Sequence, residues 1–505
     1  MSSGRCVRKR RGYPRPVSYG SVLLVSSVPN PIRLVVAAIG SLLVRLGLLD
    51  DERARRTADL AWPRIVTGIA RMSRSAVDVA MVGTALGTAA IGGVGLASPF
   101  WGLAFAVGGG IAAGSIALIS QRFGGRSLDG IGQAVRSSAA VVVLLTLPLV
   151  AAFWTFAPEL VGLLSDERAV VDYGSAYLRV VSLGVPFAAL NLIGSRVFIG
   201  VDDAWTPMVV RSGGAISNIA INAVLIFGFD MGVVGAALGT VLSNVLVTAV
   251  FAGTLVTGRL PGVGEFPVRV DPFGPYLSRD VVRQLVTIGL PVIGRNGVWT
   301  VAEFPMLAIA ALYGQEVLAA FVIARRIWGL MNTPGWGFGL ASSSLVGQEL
   351  GAGHETTAES YGREIIRYAV AVYVLSGAIV FVLADPIVLA FVDDPTARSV
   401  PVATTLVRVA CLAIVFQGIS GGSAGPLDAS GDTHWPFASQ FLGMFCCSIP
   451  IAYLGATTAL GILGLYLAFV AETAIPAALN YYRFRSNVWK RVSRDYRPGA
   501  TPADD

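Results

Sequence analysis

The chain has 505 residues, 54% of them hydrophobic and 14% charged, with a formal charge of +7 and a mean hydropathy of +0.68. Soluble domains carry about 25% charged residues, so a large water-soluble protein is excluded. The 59 glycines, set among runs of Ala, Val and Leu, suit close-packed helices in lipid.

The chain opens on a basic tract, Arg5 to Arg11, with no compact apolar region and cleavage site of the kind a leader needs. Residues 31–49, interrupted by Arg33 and Arg45, are expected to form an interfacial amphipathic helix. Apolar runs of about 20 residues or more then mark twelve spans, near 62–86, 89–120, 133–157, 175–199, 207–228, 232–257, 284–312, 317–346, 366–391, 402–425, 436–457 and 461–482. The stretch from Gly258 to Arg283, with Pro261, Pro267, Pro272 and Pro275, reads as a linker between two lobes. The expected organisation is a basic segment over 1–60, a first lobe over 61–257, a cytoplasmic linker over 258–282, a second lobe over 283–483 and a basic tail over 484–505.

Positive charge comes almost wholly from Arg, since Lys stands only at positions 9 and 490. These charges fall between apolar runs, where topology explains them better than nucleic-acid binding. Arg122, Arg126, Arg259, Arg269, Arg279 and the tail arginines mark one side as cytoplasmic, while the connections after spans three and nine are acidic. An even number of spans places both termini inside, in a multi-pass protein of the cell membrane. Cys6, Cys411, Cys446 and Cys447 lack paired spacing, and His354 and His434 stand apart in polar connections, so no metal centre or disulfide framework is expected. An ATP-binding loop is absent from the sequence as well, which removes a primary pump.

The second half repeats the first. At an offset of 227 to 229 residues, Pro63 meets Pro291, Gly87 meets Gly314, Gln121 meets Gln348, Asp203 meets Asp432 and Pro207 meets Pro436. Six is even, so both units enter the membrane from the same side and their pseudo-twofold axis runs along the membrane normal. The expected fold is all-α, with twelve transmembrane helices in two six-helix bundles facing a central cleft.

Trp62-Pro63 with Asp78 and Val82-Gly83, the tract Ile119-Ser120-Gln121-Arg122-Phe123-Gly124-Gly125, and Arg196 to Pro207 together resemble the multidrug and toxic compound extrusion (MATE) family over roughly residues 60 to 485. The resemblance implies cation-driven antiport of organic cations or other xenobiotics by alternating access. The alternative within the same superfamily is a flippase or exporter of lipid-linked saccharides, for which Arg71, Arg74, Arg295, Arg325 and Arg326 could supply a basic cavity. An integral-membrane enzyme would need a cluster of acids or His at a membrane boundary, and the sequence offers none.

An ionisable side chain at mid-membrane costs about 2.5 to 3.5 kcal/mol on insertion scales. Asp78, Glu303 and Glu472 are the three such acids. Asp78 can take up and release a proton, or it can simply pair with Arg74 one turn earlier. Asn218 and Asn222 share one face of span five, and Thr240 stands on span six. Such residues can serve as interhelical hydrogen-bond glue, but the repeat decides otherwise. Their counterparts in the second half are Pro305 or Met306, Cys447, Ile451 and Phe469, so the polar cluster has no twin.

Archaeal-type members of the resembled family place an Asp on the first helix and an Asn, an Asp and a Thr on the fifth and sixth. Asp78, Asn218 and Thr240 match, while Asn222 replaces the second Asp. A single carboxylate makes a poor Na⁺ cage, so H⁺ is favoured over Na⁺ at these four residues. Glu303, just before Pro305, and Glu472 are secondary candidates, and Pro63 is a candidate hinge. Arg196, Asp202 and Asp203 are read as loop anchors. No cofactor beyond the coupling ion is expected, and the chain is expected to work as a monomer.

Overall fold

The structure is a computed structural model that describes residues 30–392, 396 and 399–497. The Arg5–Arg11 tract, Cys6, Asp393 and Asp394 lie outside the described residues.

Among the described residues, nine helices are long and apolar enough to cross a bilayer. They are spans two (Thr88–Gly124), three (Leu128–Thr155), five (Trp205–Gly228), six (Gly232–Thr257), seven (Arg279–Leu312), nine (Glu355–Val382), ten (Ser399–Ser430), eleven (His434–Thr457) and twelve (Ile462–Arg485). Span four is a pair, Arg168–Ser182 and Val185–Gly200, bent by 50°. The bend falls at Gly184, just before Pro186, which has no backbone N–H to continue the first helix.

The two remaining spans are interrupted, one by charged side chains and the other by a break in the helix. Span one (Asp51–Leu86) carries Arg64, Arg71, Arg74 and Asp78 in its membrane portion. Span eight is divided into Gln315–Met331 and Thr333–Gly351, with Pro334 opening the second piece. Asn332 at the break accepts a hydrogen bond on its side chain from the Tyr373 hydroxyl, 2.9 Å.

Span one begins at Asp51, capped by the Asp50 carboxylate on the Arg53 N–H at 3.1 Å, and not near residue 62. Pro63 therefore sits inside the helix rather than at its start, where it removes one backbone hydrogen bond. Ahead of span one, Pro31–Arg45 forms a helix capped by Asn30. Val36, Gly40 and Leu43 face inward, with Gly40 against the Tyr368 ring of span nine. Leu34, Val35, Leu42 and Leu46 are exposed on the other side.

Each lobe buries its own apolar core, one around Ile119, Phe198 and Phe251 and one around Phe321, Cys411 and Phe469. The lobes themselves meet through a shared apolar cluster, in which Ile65, Ile116 and Ile199 of the first pack with Phe338, Leu345 and Leu350 of the second, and through close backbone contacts. Span two crosses span seven at Gly110, where a Cβ would strike Ile293 and the Gly289 carbonyl. The repeat-related Gly337 of span eight lies against the Ala61 carbonyl of span one in the same way. Where spans two and eight meet, Gly124 rests on the Gln348 carbonyl and Gly351 on the Gln121 carbonyl, a reciprocal contact about the pseudo-twofold axis. Nearby, Gln121 Nε2 donates to the Ala429 carbonyl at 2.7 Å, Gln348 Nε2 to the Gly200 carbonyl at 3.2 Å and Ser344 Oγ to the Ile199 carbonyl at 2.6 Å. The contact of Gly124 and Gly351 lies at the end of the bundle that carries the linker, where Arg122 of span two reaches Gln284 at the start of span seven. The lobes are sealed there, and a cavity lies between them deeper in the bundle.

Candidate functional site

Asp78, Asn218, Asn222 and Thr240 come together inside the first lobe. Span five places its two asparagines one turn apart on the face turned to spans one and six, and both are fully buried. Asn222 Nδ2 donates to Asp78 Oδ1 at 2.8 Å, and Asn218 Nδ2 donates to Thr240 Oγ1 at 3.4 Å. The Arg74 guanidinium stands 3.8 Å from Asp78 Oδ2, too far for a close ion pair. The carboxylate thus keeps its charge balanced without being clamped. Asn218 Oδ1 and Asn222 Oδ1 are buried acceptors without a partner.

Two further residues complete this cluster. Gly239 of span six is what lets Asn222 sit where it does, since a Cβ there would run into Asn222 Oδ1. Tyr177, on the first helix of span four, brings its hydroxyl beside Thr240 and Asp78. Neither stands out in the sequence: Gly239 is one of 59 glycines and Tyr177 one of 14 tyrosines.

The other two acids are placed elsewhere. Glu303 is exposed on span seven, away from the Asp78 cluster. Glu472 is fully buried in the second lobe, where Arg325 grips it through two hydrogen bonds of 2.6 and 2.9 Å. Arg325 also lies over the Phe469 ring at 4.9 Å and the Phe321 ring at 5.4 Å. A pair this completely satisfied is a structural element of the lobe. Removing one partner of such a pair leaves a buried charge and costs about 3–5 kcal/mol. Arg325→Gln should accordingly lower the thermal midpoint sharply, and the double change Arg325→Met with Glu472→Gln should recover much of it. Thermal unfolding in detergent measures both.

The inter-lobe cavity, of about 420 Å³, is lined by spans one, two and four of the first lobe and by spans seven, eight and ten of the second, among others. Arg64, Arg71, Arg196 and Arg295 reach it, with Phe105, Trp299 and Trp336 as aromatic walls. Asp428 is the one lining carboxylate, and Arg295 holds it through bonds of 3.1 and 2.8 Å. Arg196 is therefore a cavity residue and not the loop anchor that its place near the end of span four suggested. The other two residues of that motif do anchor the connection: Asp202 pairs with Arg56 at 3.0 Å and Asp203 accepts from the Thr206 N–H at 2.9 Å. Among the described residues no three His, Cys, Asp or Glu side chains are grouped as a metal site.

Two six-span lobes around a central cavity define a membrane transporter rather than an enzyme. A family model described as MatE matches residues 63–224 and 291–454, one match in each half. The chain belongs to the MatE family. It is 24% identical over 442 residues to the probable multidrug resistance protein YoeA of Bacillus subtilis, covering 85% of this chain and 92% of that one. It is also 24% identical over 452 residues to the probable multidrug resistance protein NorM of Thermotoga maritima, covering 87% and 94%. Among solved structures, a MOP-superfamily transporter from Pyrococcus furiosus, described as having a binding pocket of reverse polarity, matches with a TM-score of 0.78 at 21% identity. The match covers 89% of this chain and 98% of that one.

Proposed function

We propose that this protein is an H⁺-coupled antiporter that exports amphipathic organic solutes across the cell membrane by alternating access, with Asp78 as the proton carrier. The observation that carries the reading is the contact of Asp78 with Asn222 in a cluster that holds one carboxylate and has no counterpart in the other lobe. One carboxylate among two amides and a hydroxyl can take up a single proton, whereas the group supplies too little negative charge for a tight Na⁺ cage. The multidrug-resistance names of its relatives support export of xenobiotics. The arginines of the linker and tail support a cytoplasmic position for both termini, and hence for the sealed end. The protein is taken to act as a monomer within the bilayer.

The test is solute transport in proteoliposomes under separately imposed H⁺ and Na⁺ gradients. Transport driven by Na⁺ alone would overturn the choice of ion. A second variant probes the same choice. Asn222→Asp places a second carboxylate at the 2.8 Å contact with Asp78, so the pair must share a proton or hold a cation. Na⁺ should then stimulate transport several-fold more than in the parent protein. Unchanged Na⁺ stimulation would show that these residues do not form a cation cage.

The second reading, a carrier of lipid-linked saccharides, is supported by the arginines of the cavity, which a phosphate-bearing lipid would neutralise.

A further inference from the structure

We infer that the cargo of the central cavity is a small amphipathic organic anion, bearing a carboxylate, sulfonate or phosphate group on an aromatic or apolar body. The inference rests on the export reading above for its direction of transport, but not for the site itself.

The cavity carries an excess of positive charge. Arg295 and Asp428 cancel each other through their two-bond contact. Arg64, Arg71 and Arg196 remain, and no carboxylate among the described residues pairs with any of them. The charged groups that Arg64 faces are other guanidiniums, those of Arg71, Arg196 and Arg211. Arg211 in turn faces Arg196, Arg71 and Arg74. Arginine does not give up its proton in proteins, so this is a buried concentration of like charge.

A second, independent observation concerns hydrogen bonds. Arg64 is 8% exposed, and its Nε has no partner; Nη1 of Arg196 and Nη1 of Arg211 are likewise unpaired. Buried donors on charged groups are costly to leave unsatisfied. Arg71 lies over the Trp336 ring at 4.7 Å and over Phe105 at 5.5 Å, and Arg64 lies over Trp336 at 5.8 Å. These ring contacts orient the guanidiniums but do not neutralise them.

An oxyanion between Arg64, Arg71 and Arg196 would offer an acceptor to the orphaned donors of Arg64 and Arg196 and offset the repulsion together. Trp336, Trp299 and Phe105 would flank its apolar body. A cationic solute finds the reverse: like charges, and a single carboxylate already engaged. The volume of about 420 Å³ falls in the range of roughly 300–1,000 Å³ usual for drug-sized ligands, which favours a free molecule over a lipid.

The test uses the full-length protein. Binding of carboxyfluorescein, an organic anion, and of ethidium, an organic cation, is followed by fluorescence anisotropy in detergent. The anion should bind and the cation should not. Arg71→Gln and Arg196→Gln should each weaken carboxyfluorescein about tenfold or more, by loss of a charge-assisted hydrogen bond. Arg71→Lys should recover part of the loss, and Arg326→Gln, exposed on span eight, should change nothing. Thermal midpoints identify any variant that fails to fold, and the anion should raise the midpoint of the parent protein. Tighter ethidium binding, binding of neither probe, or anion binding indifferent to all three cavity substitutions would overturn the inference. Fluorescent phosphatidylglycerol tests the lipid source: its accelerated movement between leaflets, without carboxyfluorescein binding, would also overturn it. Carboxyfluorescein binding without gradient-driven transport in proteoliposomes would instead sink the antiport reading and leave the anion site standing.

Discussion

Replacing Asp78 by asparagine should abolish gradient-driven export while leaving a folded protein that still binds solute. The amide is nearly isosteric with the carboxylate, and its oxygen can still accept the hydrogen bond that Asn222 Nδ2 gives at 2.8 Å. Arg74, already 3.8 Å away, loses a weak partner. What disappears is the ability to pick up a proton on one side and deliver it on the other. Solute-for-solute exchange, which needs no net proton movement, should survive in Asp78→Asn. That pairing of results separates a lost coupling ion from a lost fold. If Asp78→Asn exports at the parent rate under a pH gradient, Asp78 is not the carrier, and the exposed Glu303 becomes the next residue to examine.

The second large effect is electrical. One charge crossing the membrane is worth about 2.3 kcal/mol per 100 mV, or roughly a fortyfold concentration ratio. If one H⁺ enters for each solute leaving, a monovalent cation makes the cycle electroneutral and a neutral solute moves one charge. A monovalent anion moves two, because its exit adds to the entry of the proton. At 100 mV, inside negative and with no pH gradient, the steady ratios should differ accordingly: none for the cation, about fortyfold for the neutral solute and about two-thousandfold for the anion. Clamped proteoliposomes loaded with one solute of each kind measure this directly. Equal voltage dependence for all three would contradict one-for-one coupling through Asp78.

The sequence made the Asp78 cluster legible because burial of charge in lipid is rare. Asp78 stands out as an ionisable group inside an apolar span, and the i, i+4 spacing of Asn218 and Asn222 assigns them one helical face. The repeat then separated the residues present in both halves from the polar cluster present in one. The cavity was less legible, for the opposite reason. Arg64 and Arg196 lie near span ends, where arginines ordinarily report topology, and only the packing of the two lobes turns them toward a shared space. Span boundaries failed at the same place. The apolar count began span one near residue 62, whereas the helix starts at Asp51 and emerges as a polar, arginine-bearing segment. Gly239 shows a further limit, since its role exists only in relation to Asn222 on another helix.

The reciprocal contact of Gly124 with Gln348 and Gly351 with Gln121 bears on how fast the protein can turn over. Interdigitated side chains would have to change rotamer, one after another, before two surfaces could slide apart. Glycine set against a carbonyl offers no such interlock. At these two points the seam lacks an interlock, so opening it depends on parting the apolar side chains packed beside them, Ile116 and Ile199 against Leu345 and Leu350, and the hydrogen bonds of the Gln121 and Gln348 amides. Because the contact is duplicated about the axis, a methyl added at one glycine would pry apart only one side and leave the seam skewed.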